Sequence, residues 1–353
     1  MLQALKERIT LTDILMWLIG AAILVLVLIG STATLSAGVY SSHHWFDFIV
    51  FGLAQGSIYA LIAMGYTMVY GILRMINFAH SEIFMSGPYT AYFFAAAFYR
   101  SGFLDRHPIL SLMIIFVVSM STSTLIAILL ERIAYRPLRD APRLVPLITA
   151  IGASFFLQYV FRGLYGSGFQ AYPVVKILEG KWSFGEFQML KFQALVIVAA
   201  ALLMFALYSF VQWTRVGKAI RAVSEDKETS ALMGIDIDKM IVTTFIIGGM
   251  AAGAAGVLYA LMFKQVHFFM GFIPGIKAFT AAVLGGIGNI PGAMLGGIFL
   301  GLVESVGPTL FLDGLGIVAP YQLKDAIAFT MLVLVLIFRP TGILGERLAV
   351  KKA

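Results

Sequence analysis

Few residues of this chain have the types and spacing that chemistry requires. No Gly-x-x-x-x-Gly-Lys-Ser/Thr run occurs. The nearest fragment, Gly217-Lys218-Ala219, lacks the loop glycine and the hydroxyl that would hold magnesium, so the chain offers no P-loop for ATP. His43 and His44, with Asp47 nearby, make a weak metal-ligand set and read better as residues of an outer interfacial loop. His267 has no Cys, His or carboxylate at ligand spacing and reads as a loop residue. Neither a Gly-x-Ser-x-Gly elbow nor a His-Glu-x-x-His pair is present. The absence of cysteine removes disulfides, thiolate metal sites and cysteine nucleophiles. An enzyme is therefore the weaker class.

What remains are polar groups inside apolar segments, which are costly in lipid and mark functional positions by default. Glu304 stands in Leu302-Val303-Glu304-Ser305, where an interhelical hydrogen bond is the first reading and substrate contact the second. His80 and Glu82 open an apolar segment behind Asn77, and a helix cap fixing the re-entry of the chain is the expected role of that group. Lys324 and Asp325 are adjacent, hence on different helix faces, and are not expected to pair with each other. Gln55, Asn77 and Asn289, together with His80, Glu82 and Glu304, are the candidate polar contacts of a translocation path otherwise lined by small and apolar residues. Weak, transient hydrogen bonds suffice there, because tight binding would trap the solute. The competing reading is that these groups only bridge helices.

One polar segment is longer than a plain connection needs. Thr214 to Asp236 can form two short helices, one basic (Arg215, Gly217, Arg221, Glu225) and one following Asp226 and Glu228 with Ala231, Leu232 and Ile235 on an apolar face. Gly234 would end the second by taking a left-handed conformation. An apolar stripe on a water-facing helix points to a docked partner rather than to a solvated loop.

These residues are positioned by membrane-spanning elements. Of 353 residues, 60% are hydrophobic and 12% charged, whereas soluble domains have about 45–50% apolar and about 25% charged residues. Runs of roughly 20 apolar residues, the length that spans a bilayer, occur at Ile14–Leu35, Phe48–Leu73, Ala79–Tyr99, Ile109–Leu130, Val145–Tyr165, Phe192–Trp213 and Met240–Phe263. Lys277–Leu312 is too long for one helix and holds Gly285-Gly286-Ile287-Gly288-Asn289-Ile290-Pro291-Gly292 near its middle, so it is expected to form two half-helices meeting near Gly288 to Pro291. Ile317–Phe338 is the last span. The fold expected is all-α and polytopic, with about ten transmembrane helices including the broken pair.

Charge supports that count. The net charge of +7 comes in short tracts between apolar runs, unlike the dense patch a nucleic acid needs: Arg132, Arg136, Arg139 and Arg143; Arg215, Lys218, Arg221, Lys227 and Lys239; Arg339, Arg347, Lys351 and Lys352. The positive-inside rule puts all three in the cytoplasm with Lys6 and Arg8, so both termini are cytoplasmic. Seven spans leave the chain outside at Phe263, and three further crossings return it. Gly52/Gly56, Gly249/Gly253, Gly288/Gly292/Gly296 and Gly297/Gly301 keep the four-residue spacing that lets helix backbones touch in lipid. The first apolar run follows basic residues and ends in small ones, so a cleaved signal peptide stands beside a retained helix as its reading.

Several of these motifs are familiar together. Gly65-Tyr66-Thr67-Met68-Val69-Tyr70-Gly71, Met75-Ile76-Asn77-Phe78-Ala79-His80, Glu131-Arg132-Ile133-Ala134-Tyr135-Arg136-Pro137-Leu138-Arg139, Lys277 to Gly288 with Ile290-Pro291-Gly292-Ala293, and Arg339-Pro340-Thr341-Gly342-Ile343-Leu344-Gly345 resemble the H-type permease of bacterial high-affinity branched-chain amino acid ABC importers. The resemblance runs from about Phe48 to Gly345. Ser81 stands where the family usually has glycine. Glu228 and Gly234 keep the interval of the Glu-Ala-Ala-x-x-x-Gly coupling loop of importer permeases, although Thr229 and Ser230 replace its alanines.

The resemblance implies an M-type sister permease or a second copy, two cytoplasmic ATPase subunits that use ATP and magnesium, and a periplasmic amino-acid-binding protein. This chain would bind no cofactor itself, and residues 214–239 would couple it to the ATPases. The expected organisation is an N-terminal tail and extra helix over 1–40, the permease domain over 41–345 and a cytoplasmic tail over 346–353, in the bacterial inner membrane. Import of urea or a short amide is the alternative within the class. An ion-coupled secondary transporter or channel is the alternative from another, with Glu304 alone as thin support for a mid-membrane coupling site.

Overall fold

The computed structural model describes residues 11–345 except 140, 143, 186 and 340. The expected cytoplasmic residues Lys6, Arg8, Arg143, Arg347, Lys351 and Lys352, and the tail 346–353, lie outside the described residues. The chain forms helices α1 (Leu11–Ala37), α2 (Ser42–Leu73), α3 (His80–Arg100), α4 (Phe103–Arg106), α5 (Pro108–Leu130), α6 (Leu144–Tyr165) and α7 (Lys191–Trp213). It continues through α8 (Arg215–Glu225), α9 (Lys227–Leu232), α10 (Ile237–Phe263), α11 (Phe272–Gly285), α12 (Ile290–Gly307) and α13 (Lys324–Phe338).

Among the described residues, eight helices are long and apolar enough to cross a membrane: α1, α2, α5, α6, α7, α10, α12 and α13. With α11 and the more polar α3, whose first half is buried in the bundle, they make ten embedded segments. Most spans run longer than the apolar runs alone suggest, whereas the last, expected from Ile317, forms an α-helix only from Lys324. Helix α2 starts at Ser42, so His43 and His44 belong to its first turn rather than to a loop, and His44 Nδ1 lies 2.9 Å from Ser41 Oγ. Two short antiparallel ribbons add to the all-α bundle: β1 (Gln170–Ala171) pairs with β4 (Gln265–Val266), and β2 (Lys181–Phe184) with β3 (Phe187–Leu190).

Helices α2 and α10 form the interior, while few residues of α1 and α13 are buried. The closest packing is between α2 and α12. A Cβ added at Gly297 would meet the backbone of Ala60, and one at Gly301 the backbone of Gly56. Gly249 and Gly253 likewise sit on the backbone of α5 at Ser119 to Thr124, and Gly292 and Gly296 on Gly285 and Ala281. Gly288 departs from the expected packing series. Its φ is +98° with open space around it, so it serves the turn instead.

The broken helix is built as its residues dictate. Helix α11 ends at Gly285, and Gly286 takes φ +111°. Asn289 caps α12 by accepting from the Gly292 N–H at 2.9 Å, with Pro291 in the first turn, where its missing N–H leaves nothing unpaired. The carbonyls of Leu284 and Gly285 accept from the N–H groups of Ile343 and Leu344 at 2.8 and 3.0 Å. The tail residues Gly342 and Gly345 thus lie directly on Gly286, where no side chain fits.

The break shares one end of the bundle with the basic loops. Arg74 there donates to the Ser224 carbonyl at 2.6 Å, Arg136 pairs with Asp238 at 2.8 Å, and Arg139 pairs with both Asp238 and Glu131. The opposite end carries the ribbons, the Lys176–Asp105 pair at 2.5 Å and the Tyr40–Asp313 hydrogen bond at 3.0 Å. Helix α1 crosses the π-helical turn Pro308–Leu312 that follows α12 through Gly30, which sits on the Phe311 carbonyl, and Trp17 packs on Phe338.

Gly301→Leu should therefore lower the melting temperature of the detergent-solubilised protein strongly. Overpacking alone costs about 1–3 kcal/mol, and here the obstacle is backbone. Gly152→Ala, with open space around it, should leave the melting temperature unchanged or slightly higher.

Candidate functional site

The polar residues picked from the sequence fall into three places. The first lies where α2, α11, α12 and α13 meet. Lys277, with 3% of its side chain exposed, forms an ion pair with Glu304, whose side chain is 1% exposed. Lys277 also pairs with Asp325 at 2.6 Å, while the Asp325 side chain keeps 42% of its surface exposed. Gln55 Nε2 donates to Glu304 Oε1 at 3.2 Å and to the Tyr59 hydroxyl at 2.5 Å, and the Lys277 ammonium lies 5.9 Å from the Tyr59 ring centroid. Glu304 thus makes interhelical contacts, and Gln55 is brought to it. Lys277 was read only as the start of the broken span. A lone cation in an apolar helix was the signal for it, because such a charge needs a buried carboxylate.

The second place is the inner half of α3. Glu82 is fully buried. Its Oε1 accepts from Ser81 Oγ, Ser154 Oγ and Gln158 Nε2 at 3.2, 3.1 and 2.7 Å, so neutral donors from α3 and α6 hold it. Ser81 fits because Gly271 and Gly275 face it without side chains. His80 is buried beside Tyr66, with ring centroids 4.7 Å apart, and Gly65 makes room for its imidazole. Asn77 does not cap α3. Ala79 occupies the cap position and makes no side-chain bond, while the Asn77 side chain accepts from the Tyr135 hydroxyl at 2.5 Å. A π-helical turn at Glu131–Tyr135 aims that tyrosine inward, so a tertiary contact replaces the local one. Asn289 stays at the break, held by Gly292 and by its own donation to the Leu344 carbonyl at 2.9 Å.

The third place is exposed. Helices α8 and α9 form a compact knob at the basic end. Thr214 caps α8 by accepting from Gly217 N–H at 3.0 Å, and Asp226 caps α9 by accepting from Thr229 N–H at 3.1 Å. Gly217 lies against the carbonyls of Phe210 and Val211, and Ile220 and Val223 are buried against the bundle. Gly234 has φ +83°, its N–H donates to Ala231 and that of Ile235 to Ser230, which is a Schellman termination. Leu232 and Met233 project from the tip, 87% and 78% exposed. Arg215, Arg221, Glu225 and Glu228 lie on the water-facing side of the knob, with Ala231 beside Leu232. At the opposite end, His267 packs on Phe169, and burial holds its imidazole below the usual histidine range, so it is neutral near pH 7.

Among the described residues, eight helices long and apolar enough to cross a membrane, a broken helix and buried polar clusters define a multi-pass membrane protein. The profile of the family described as branched-chain amino acid transport system / permease component matches residues 48–336, and the chain belongs to that family. It is 45% identical over 309 residues, 86% of this chain and 97% of the relative, to the high-affinity branched-chain amino acid transport system permease protein BraD of Pseudomonas aeruginosa. It is 42% identical over 300 residues, 84% of this chain and 94% of the relative, to LivH of Escherichia coli K12. A probable LivH of Methanocaldococcus jannaschii is 28% identical over 83% of this chain and 90% of its own length.

Lys277→Met should lower stability by about 3–5 kcal/mol, because it leaves Glu304 buried without its cation. Lys277→Met combined with Glu304→Leu should recover most of that loss, since an apolar replacement of a buried pair is often neutral. Unfolding of the solubilised single and double variants in denaturant checks both.

Proposed function

We propose that this chain is the H-type permease subunit of an ATP-binding-cassette importer that carries branched-chain amino acids across the bacterial inner membrane. The observation that carries this reading is the similarity to BraD, which spans 97% of that protein. The chain supplies the pathway and leaves ATP hydrolysis, with its magnesium, to two cytoplasmic ATPases. It pairs with an M-type sister or a second copy and receives substrate from a periplasmic binding protein at the ribbon-bearing end. Positive-inside charge supports a cytoplasmic position for the basic end, the helix break and both termini. Gln55, Asn77, His80, Glu82, Asn289 and Glu304 belong to the path or to the helices that shape it.

In this reading the α8–α9 knob is the coupling element. An exposed Leu232 and Met233 at the tip of a capped turn suit a groove on the ATPase, as an apolar helix face does in a partner's cleft. Residues Arg215 to Ile235 would then move as one rigid piece with the ends of α7 and α10.

Reconstitution with the sister permease, ATPases and receptor in proteoliposomes tests the function. Leucine should accumulate only with ATP inside the compartment facing the ATPases, and an importer specific for urea or an amide would end the reading. Gly234→Val should strain the left-handed turn by about 1 kcal/mol and, with Leu232→Asp, reduce ATPase co-purification and substrate-stimulated hydrolysis. Normal coupling in both variants would remove the knob from this role.

A further inference from the structure

Asp47, Phe51, Gln55 and Tyr59 recur every four residues along α2 and so share one face. The outer half of this stripe opens into a cleft of about 340 Å³, lined by Asp47, Phe48, Phe51, Lys181, Ser305 and Tyr321 among others. The inner half bonds the Lys277–Glu304 pair through Gln55. Ser305 lines the cleft and Glu304 precedes it in α12, so the cleft and the buried pair meet within one helical turn.

We infer that this cleft and the Lys277, Glu304 and Asp325 cluster beneath it form a binding site for a zwitterionic amino acid with an apolar side chain. The inference rests on the proposed function and assigns it a substrate site on this chain. The cleft offers a carboxylate, Asp47, and an ammonium, Lys181, on walls made by Phe48, Phe51 and Tyr321. That set complements an ammonium, a carboxylate and an aliphatic chain. Beneath it one ammonium faces two carboxylates, so one carboxylate is in surplus. Asp325 is the member free to leave, because its side chain is 42% exposed while those of Lys277 and Glu304 are 3% and 1% exposed. A substrate carboxylate that replaces Asp325 on Lys277 frees Asp325 to receive the substrate ammonium, and the charges remain matched throughout. Glu304 Oε2 is buried without a partner and provides a further acceptor.

The test is leucine binding to the assembled permease and ATPase complex without receptor, measured by displacement of labelled leucine. Isocaproate, which lacks the ammonium, and isoamylamine, which lacks the carboxylate, should compete about tenfold less well or worse, the loss expected for one charge-assisted hydrogen bond. Lys277→Met/Glu304→Leu, shown first to assemble with its partners, should lose binding and transport. Asp325→Asn, at a partly exposed position that tolerates the change, should weaken binding about tenfold and raise the KM for transport. Wild-type leucine transport by the double variant, or equal competition by the single-charge analogues, would overturn the site while leaving the importer function standing. A wild-type complex that moves no leucine would remove that function, and the site with it.

Discussion

Backbone contact between α2 and α12 is the constraint on which the other contacts depend. Apolar side chains gain little by leaving lipid tails for one another, so helices in a membrane associate through close packing and polar contacts. Here the packing reaches its limit, since Gly56 and Gly301 leave no room for a side chain between them and Gly297 rests on Ala60. Helix α12 can reach α2 because α11 stops short and the chain turns at Gly286 to Asn289. The turn leaves helix-end groups without intrahelical partners. The Asn289 side chain and the N–H groups of Ile343 and Leu344 supply the missing bonds, which makes the C-terminal segment part of the break.

The same contact decides the state of the polar side chains. With α2 and α12 at backbone distance, Gln55 and Glu304 are sealed from solvent, and Lys277 is the cation that α11 can bring to them. Desolvating such a pair often costs more than its attraction returns, so stability alone is a weak reason for its presence. Glu82 shows the other solution. It has three neutral donors and no cation, which suits a carboxyl held in position by the bundle. The two clusters lie on different helices, one beneath the outer cleft and one along the inner re-entry of α3.

Much of this was legible in the sequence because it depends on local rules. Apolar length gave the spans, the Gly285 to Gly292 run gave the break, and Gly234 gave the end of α9, since each reports a backbone preference of nearby residues. Glycine spacing marked the contact faces, apart from Gly288, whose neighbours do not tell a turn glycine from a packing one. What failed was tertiary. Asn77 looked like a cap because capping residues precede helices, yet Tyr135, 58 residues away in sequence, claims its side chain. Lys277 passed as a boundary residue because its partners Glu304 and Asp325 are remote in the chain. The outer cleft joins α2, a ribbon and α12, and no single segment announces it.

The proposed coupling has a physical route in these contacts. The knob is fastened to the bundle by the contact of Gly217 with Phe210 and Val211 and by the Arg74 bond to Ser224, and its two junctions are capped by Thr214 and by Asp236, which accepts from Lys239 N–H at 3.0 Å. A short element held at so many points moves with the helices that hold it instead of flexing between them. Arg74 follows directly on α2, the helix that carries Gln55 and the glycines touching α12. In the proposed coupling, displacement of the knob would reach the inner end of α2, and close-packed helices would pass it on as a shift of rigid bodies because their interfaces do not deform continuously. In the outer half of that same helix, such a shift would change the separation of Gln55 from Glu304, the carboxylate that holds the Lys277 ammonium.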